Sequence, residues 1–253
     1  MKACKAVFEK VPARLYKGVK EAADKLSLHY VNLKEREKDL FSAPRDYKGV
    51  TVPVDHAVLI TNPTNIYAKE PVVFSELIGL MKGSKERVFI QTPYAVLGKD
   101  MYRAMEEAVK EQPDLTLLLN SRAVGDNFMA SSDYTINRKK ILKTGLNLYE
   151  YFGSHSIHGK SIVIDDDISV VMTYNLDMRS TYIDTEMAYV IRGKKFNQLL
   201  DTNMQNVKDE ALPVHKDESY AKSSAVKEKE LPKTKEMIFA VTSVIFQLFR
   251  FLF

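Results

Sequence analysis

The chain has 253 residues, of which 45% are hydrophobic and 28% charged, and its formal net charge is +4. This balance is that of a globular protein, so collagen-like, coiled-coil and wholly disordered classes are excluded. The single cysteine, Cys4, excludes an intrachain disulfide and a zinc site made of several thiolates. Segment 1–25 lacks the apolar core of a signal peptide, so we expect no secretory leader at this end.

Residues 1–56 form a basic N-terminal region that we expect to be helical or linking. Residues 1–49 carry a local charge of +5. Apolar residues recur there at steps of three or four, which predicts an amphipathic helix; they are Val7, Val11, Leu15, Val19, Ala23 and Leu26. A helix that packs on its own or a partner domain is favoured over a basic surface for anionic lipid.

Residues 57–207 are predicted to form one α/β domain. Strands are predicted at 57–61, 87–92, 115–120, 147–152, 157–164, 168–175 and 185–191. Helices are predicted at 73–82, 98–111, 135–144 and 193–204. Strand and helix alternate first and strands cluster afterwards, which indicates a mixed central β-sheet flanked by helices.

Two further segments follow this domain. Residues 208–236 hold seven lysines and seven acidic residues, which is typical of a loose, solvated linker. Residues 237–253 form an apolar tail with one charge, Arg250, and we expect a helix. Seventeen residues lie at the lower limit of a membrane span. An interfacial membrane segment and a last helix buried on the core are both open.

The candidate catalytic and binding residues lie in two neighbouring predicted strands and in the strand that follows them. His158 and Lys160 are two residues apart, so in a strand they share a face. Thr173 and Asn175 have the same spacing in the next strand, and Glu186 follows in a third. The hairpin therefore brings an imidazole, an ammonium, a hydroxyl and an amide to one place.

These groups suit a phosphodiester and need no metal or cofactor. An ammonium and an amide can hold the non-bridging oxygens. An imidazole can attack phosphorus or protonate a leaving alkoxide, and a carboxylate behind it can fix its tautomer. Each of these five residues alone has an ordinary structural explanation. Their combination on adjacent strands favours a functional site over that explanation.

His158-x-Lys160-xxxx-Asp165, followed by Asn175, resembles the HxKxxxxD motif of the phospholipase D superfamily. Further segments resemble its bacterial cardiolipin-synthase-like members; they are QTPY (91–94), LLLNSRAVGDN (117–127), YTINRKKILKTGLNLYEY (134–151), NLDMRS (175–180) and DTE (184–186). The match covers roughly residues 58–192, in the order of the second catalytic half of such enzymes.

The resemblance implies the phospholipase D fold and a two-step transfer through a phosphohistidine. It makes His158 the nucleophile or the general acid, and Lys160 and Asn175 phosphate ligands. Thr173 stands in the family's Ser position, and Glu186 orients His158. Asp165 is expected to hold the site together rather than attack.

Two departures from the family pattern matter. Met172 replaces the usual Gly before the Ser position, and strand alternation predicts that its side chain points away from Thr173 and Asn175. None of the other histidines (His29, His56, His155 and His215) has a lysine two residues later, so the chain carries one motif where a complete site needs two. It is therefore half of a longer two-motif protein, one subunit of a homodimer, or a degenerate half; the first is favoured.

Three functions compete. The leading hypothesis is a phosphodiesterase or phosphatidyltransferase that acts on anionic phospholipid at the cytoplasmic side of a membrane, with a second HxKxxxxD half as partner. The second is a homodimeric single-motif nuclease, which the absence of a dense basic run in 58–192 disfavours, so nucleic acid is not the expected partner. The third is a non-catalytic lipid-binding or partner-binding half.

Overall fold

The structure is a computed structural model that describes residues 13–41, 47–64 and 68–252. The chain divides into two compact units, Met1–Thr51 and Val52–Phe253. The first unit holds helices α1 (Ala13–Arg36) and α2 (Lys38–Phe41). Helix α1 continues ten residues beyond Leu26, the last position of the predicted apolar pattern. Cys4, Val7 and Val11 lie outside the described residues.

The second unit contains the predicted mixed β-sheet. Its strands are β1 (His56–Thr61), β2 (Val88–Gln91), β3 (Ala95–Val96), β4 (Leu115–Asn120), β5 (Asn147–Tyr151), β6 (Ser161–Ile164), β7 (Ile168–Met172), β8 (Leu176–Asp177), β9 (Met187–Arg192) and β10 (Ala211–Pro213). Eight of them form one sheet in the order β1-β9-β7-β6-β2-β4-β5-β10, and β3 pairs with β8 separately. Strands β2, β4 and β5 run parallel, whereas the other neighbours in the large sheet are antiparallel.

Helices cover both faces of this sheet. They are α3 (Val72–Lys82), α4 (Lys99–Glu111), α5 (Phe128–Lys143), α6 (Met178–Tyr182), α7 (Lys194–Lys208) and α8 (Lys233–Phe246), and a 3₁₀ helix, Gln247–Leu252, follows α8. Leu77 of α3, Met105 of α4 and Ile141 of α5 share the main core with Ile90 and Leu117 of the sheet. Helix α7 covers the opposite face, where Met204 packs among β2, β4 and β6.

The predicted α/β class is confirmed, and most predicted elements lie within two residues of the observed ones. Helix α5 begins earlier than predicted because the Asn127 side chain caps it, accepting from the backbone N–H of Ala130. The loose linker predicted for 208–236 is wrong for its first part: β10 pairs with β5, and the Tyr220 hydroxyl donates to Glu150 at 2.6 Å.

The apolar tail packs on the domain through one face of α8. The rings of Phe128 and Phe239 stack with centroids 5.0 Å apart. Arg250 donates to Asp133, a fully buried carboxylate on α5, and to the carbonyl of Leu97. Within the described ranges, no helix combines the length and the apolar character needed to cross a bilayer.

Candidate active site

The candidate site lies at one edge of the large sheet, where several chain segments end or begin together. Strands β2 and β4 are parallel, and β6 runs antiparallel to β2. The C-terminal ends of β2 and β4 therefore share an edge with the start of β6 and the end of β7. Gln91 and Asn120 are the last residues of β2 and β4, and Thr173 follows β7 directly.

His158 and Lys160 meet at this edge. The Lys160 Nζ lies 3.1 Å from the His158 Nδ1 and donates to the His158 carbonyl at 3.0 Å. The prediction that both residues lie within a strand is wrong, because β6 begins at Ser161. The backbone N–H of Met172 nevertheless donates to the Lys160 carbonyl, so Lys160 is still held next to the end of β7.

Two side chains from the neighbouring strands shape the segment that carries His158. Asn120 accepts from the Ile157 N–H at 2.8 Å and donates to the Ile157 carbonyl at 2.9 Å. Gly159 lies so close to Gln91 that a Cβ there would fall 2.3 Å from the amide nitrogen Nε2. The Asn120 contacts hold the segment just before β6, and any residue larger than glycine at position 159 would have to displace the end of the Gln91 side chain.

The carboxylate of Glu186 is buried behind Thr173. It accepts a hydrogen bond from the Thr173 hydroxyl and another, at 2.7 Å, from the Ser180 hydroxyl. The structure thus brings Thr173 and Glu186 together, as the order of the strands indicated, but both carboxylate oxygens accept from hydroxyls and not from His158. An orienting role of Glu186 towards His158 stays a prediction.

Lys160 lies in an acidic environment. Partial burial lowers its pKa, and the negative charges of Glu186, Asp177 and Asp126 oppose that shift. Burial raises the pKa of Asp177 to about 6, with a further contribution from Glu186, while hydrogen bonds from Ser180 work in the opposite direction. Asn175 adds a side-chain oxygen, Oδ1, that is buried and has no hydrogen-bond partner among the described residues.

Asp165, the last residue of the motif, is not at this edge. It follows β6 at the opposite end of the strand, so it is about 15 Å from Lys160 along the chain direction. Its carboxylate accepts from the backbone N–H groups of Lys85, Glu86 and Arg87 at 2.8–3.2 Å. Its backbone is left-handed, with φ at 50°. The geometry suits a structural role at the β6–β7 turn.

Met172 occupies the position where the family carries Gly. Its side chain packs against the main core cluster of the domain, on the side opposite to the exposed Thr173. The strand alternation predicted this orientation. The thioether therefore does not narrow the space around Lys160 and Asn175.

A family model, described as "Cardiolipin synthase, PLD-like domain", matches residues 77–208 of the chain. The chain belongs to this family of cardiolipin synthase PLD-like domains. The matched region extends from α3 to the end of α7 and includes each predicted site residue. Membership makes this a domain of a phosphodiesterase and transferase family, as the HxKxxxxD motif predicted.

Proteins of several bacteria are similar in sequence to this chain. An uncharacterized protein of Helicobacter pylori strain J99 is 26% identical over 206 residues, which are 72% of this chain and 40% of the relative. Cardiolipin synthase A of Shigella dysenteriae is 27% identical over 127 residues, which are 50% of this chain and 26% of the relative. The chain thus spans less than half the length of these relatives.

Solved structures share the fold. Nuc from Salmonella typhimurium, a phospholipase D family member, superposes with a TM-score of 0.51 at 17% identity, over 63% of this chain and 99% of Nuc. Phosphatidylserine synthase from Haemophilus influenzae gives a TM-score of 0.58 at 14% identity, over 78% of this chain and 48% of that one. At these identities the likeness concerns the fold alone.

Proposed function

We propose that this domain is one half of a phosphodiesterase or phosphatidyltransferase site that acts on an anionic phospholipid at a membrane surface. The observation that carries the proposal is the meeting of His158 and Lys160 at a sheet edge that also holds Thr173, Asn175 and Glu186. An imidazole beside an ammonium, a hydroxyl and an amide is suited to bind a phosphodiester and to form or break a bond at phosphorus.

The proposed chemistry has two displacements. A histidine nitrogen attacks phosphorus, the P–O bond to one alcohol breaks, and the histidine of a second motif donates a proton to that alkoxide. Water or a second alcohol then gives its proton to the second histidine while its oxygen attacks phosphorus and the P–N bond breaks. Water yields hydrolysis, whereas the hydroxyl of a phospholipid headgroup yields transfer. His158 supplies one of the two histidines.

Lys160 and Asn175 are proposed as ligands of the non-bridging oxygens. In the present conformation the Lys160 ammonium contacts His158 Nδ1, which leaves Nε2 without a hydrogen-bond partner in the part of the chain that the structure describes. A bound phosphate would draw the ammonium towards its own oxygens because a charge-assisted contact to an anion is stronger than one to a neutral ring. Nδ1 would then be free for a carboxylate partner.

The test is the hydrolysis of a soluble chromogenic phosphodiester in EDTA by the purified chain, with His158→Ala beside it. Activity that the variant abolishes supports the proposal and means that two copies assemble a site. If neither protein is active, the assay is repeated with the complementary half from a full-length relative. Activity that survives in His158→Ala, or that EDTA removes, would overturn the proposal.

A homodimeric nuclease remains the second candidate, because this domain aligns with 99% of the Nuc chain and so matches the size of that whole protein. The motif residues would contact the phosphodiester group itself and not the lipid or nucleoside groups esterified to it. Binding to duplex DNA and to anionic vesicles at physiological salt separates the two candidates. DNA binding without vesicle binding would favour the nuclease.

A further inference from the structure

One face of α8 and of the 3₁₀ helix after it carries a row of exposed apolar side chains. We call it the apolar stripe; it consists of Met237, Ile238, Val241, Val244, Ile245 and Leu248. At 100° per residue these positions lie within an arc of about 120°, and at 1.5 Å per residue they extend over about 16 Å. Soluble proteins usually scatter such side chains singly and do not align them.

The orientation of the stripe is fixed by the packing of the opposite face. Phe239 and Ser243 of that face are buried, and the Thr242 hydroxyl lies 3.1 Å from that of Ser132 on α5. Helix α8 therefore packs on the domain through the face that carries Phe239 and Ser243. The apolar stripe lies on the other face and is exposed.

Charges are absent from the stripe and present at its ends. Arg250, the one charged residue of 237–252, turns inward and pairs with the buried Asp133. Lys233, Lys235 and Glu236 lie in the first turn of α8. Lys139 and Lys143 are exposed on the last turns of α5, which runs parallel to α8 and extends past its end. An uncharged apolar face flanked by four lysines and one glutamate complements the interior and the headgroups of an anionic bilayer.

The helix that carries the stripe ends near the candidate site, because it packs on Val96 and that residue pairs with Asp177 in the β3–β8 ladder. Phe246, at the end of α8, packs with Val96 and Ala130 in a small cluster that includes Tyr94. Burial raises the pKa of the Tyr94 hydroxyl to about 12, and the negative charge of Asp177 contributes to that rise. Asp177 in turn acts on the charge of Lys160.

We propose that the apolar stripe docks on the surface of an anionic lipid bilayer, with α8 parallel to the membrane plane. A stable protein dimer buries about 800 Å² on each partner, from 20 to 30 residues, and six side chains of one helix supply only part of that. An interfacial helix needs only an apolar face of this kind with flanking cations. This inference rests on the proposed function in one respect only, namely that the substrate is a phospholipid. Docking on the bilayer itself does not require turnover.

The experiment is flotation of the full chain with vesicles of phosphatidylglycerol and phosphatidylcholine in equal parts, without substrate turnover. We compare wild type, Val244→Glu in the stripe, and Leu199→Glu as the matched control. Val244 is 64% exposed and Leu199, on α7, is 50% exposed, so neither change disturbs the core. We expect Val244→Glu to lower vesicle binding at least tenfold and Leu199→Glu to leave it unchanged.

Two controls separate the possible causes. His158→Ala should bind vesicles like wild type, so a failure of the proposed catalysis leaves this result intact. Light scattering without lipid reports the oligomeric state of wild type and Val244→Glu. Equal vesicle binding by wild type and Val244→Glu, no binding by wild type, or a dimer that Val244→Glu dissociates would overturn the proposal; the last would assign the stripe to a second copy of the chain.

Discussion

The carboxamide of Asn120 pairs with both backbone polar groups of Ile157, accepting from its N–H at 2.8 Å and donating to its carbonyl at 2.9 Å. The same amide nitrogen lies 3.0 Å from the carbonyl of Pro93. Asn120 is buried at the end of β4, so it ties the residue before His158 to the rigid part of the sheet. Because its side chain contacts the backbone of Ile157 and not His158 itself, we expect it to act as a positioning residue.

Replacing Asn120 by Ala should lower kcat for a soluble phosphodiester about 100-fold, because a displacement of about 1 Å at a reacting group has an effect of that size. KM should change little, since Lys160 and Asn175 remain. Asn120→Asp keeps the acceptor for the Ile157 N–H and should recover part of kcat. Steady-state kinetics, with Asn203→Ala on the exposed side of α7 as control, measures this. If kcat of Asn120→Ala falls no more than its folded fraction does, the positioning role is contradicted.

The contrast between Asn120 and His158 shows what a sequence can reveal. His158, Lys160 and Asp165 form a local pattern, and the strands around them have clear apolar runs, so the sheet and the motif were predictable. Asn120 bonds to groups 27 to 37 residues away, and no local spacing marks such a contact. Strand β10 was missed for a related reason: it is three residues long and lies in a charged segment, and its pairing with β5 decides its structure.

Restoring the family's glycine by Met172→Gly should not raise activity. The side chain packs on the core and not towards Thr173, so its removal opens no space for phosphate. The lost packing and the added backbone freedom should lower the free energy of unfolding by about 2 kcal/mol. Urea unfolding and kcat/KM of the two proteins test this. A rise in kcat/KM would show that Met172 obstructs the site.

Asp165 should stabilise the fold from about pH 4 upwards. Partial burial works to raise its pKa, but the three backbone N–H donors outweigh burial and hold the pKa below its usual value. The folded pKa is therefore lower than the unfolded one, so the stabilisation is present above the unfolded pKa of about 3.9 and is lost as pH falls through the folded pKa.

Asp165→Asn tests this and keeps a residue that tolerates a left-handed backbone. At pH 7 we expect a loss of about 1–2 kcal/mol in the free energy of unfolding, because charge-assisted hydrogen bonds become neutral ones. The difference from wild type should shrink below pH 4. Thermal unfolding between pH 3 and 8 measures it, with Glu76→Gln as control; Glu76 is exposed on α3 and has no ion pair among the residues that the structure describes. A difference independent of pH would mean that the charge of Asp165 has no stabilising role.

Asp177 should show the opposite pH dependence. Burial raises its pKa to about 6, so the folded protein binds a proton that the unfolded chain releases near the ordinary value of 3.8. A raised folded pKa gives stability that is complete below the unfolded pKa and is lost as pH rises through the folded one. At pH 7 the buried charge therefore costs about 2–3 kcal/mol relative to the protonated form.

Asp177→Asn removes that charge and keeps a side-chain oxygen to accept from the Ser180 N–H, which Asp177 receives at 2.6 Å. We expect the variant to gain stability over wild type as pH rises from 4 to 7, the reverse of Asp165→Asn. The variant should also lower kcat, because Asp177 is one of the charges that keep the partly buried Lys160 protonated for phosphate binding. Chemical unfolding at several pH values, followed by pH–rate profiles, tests both parts. A constant stability difference from pH 4 to 7 would contradict the raised pKa of Asp177.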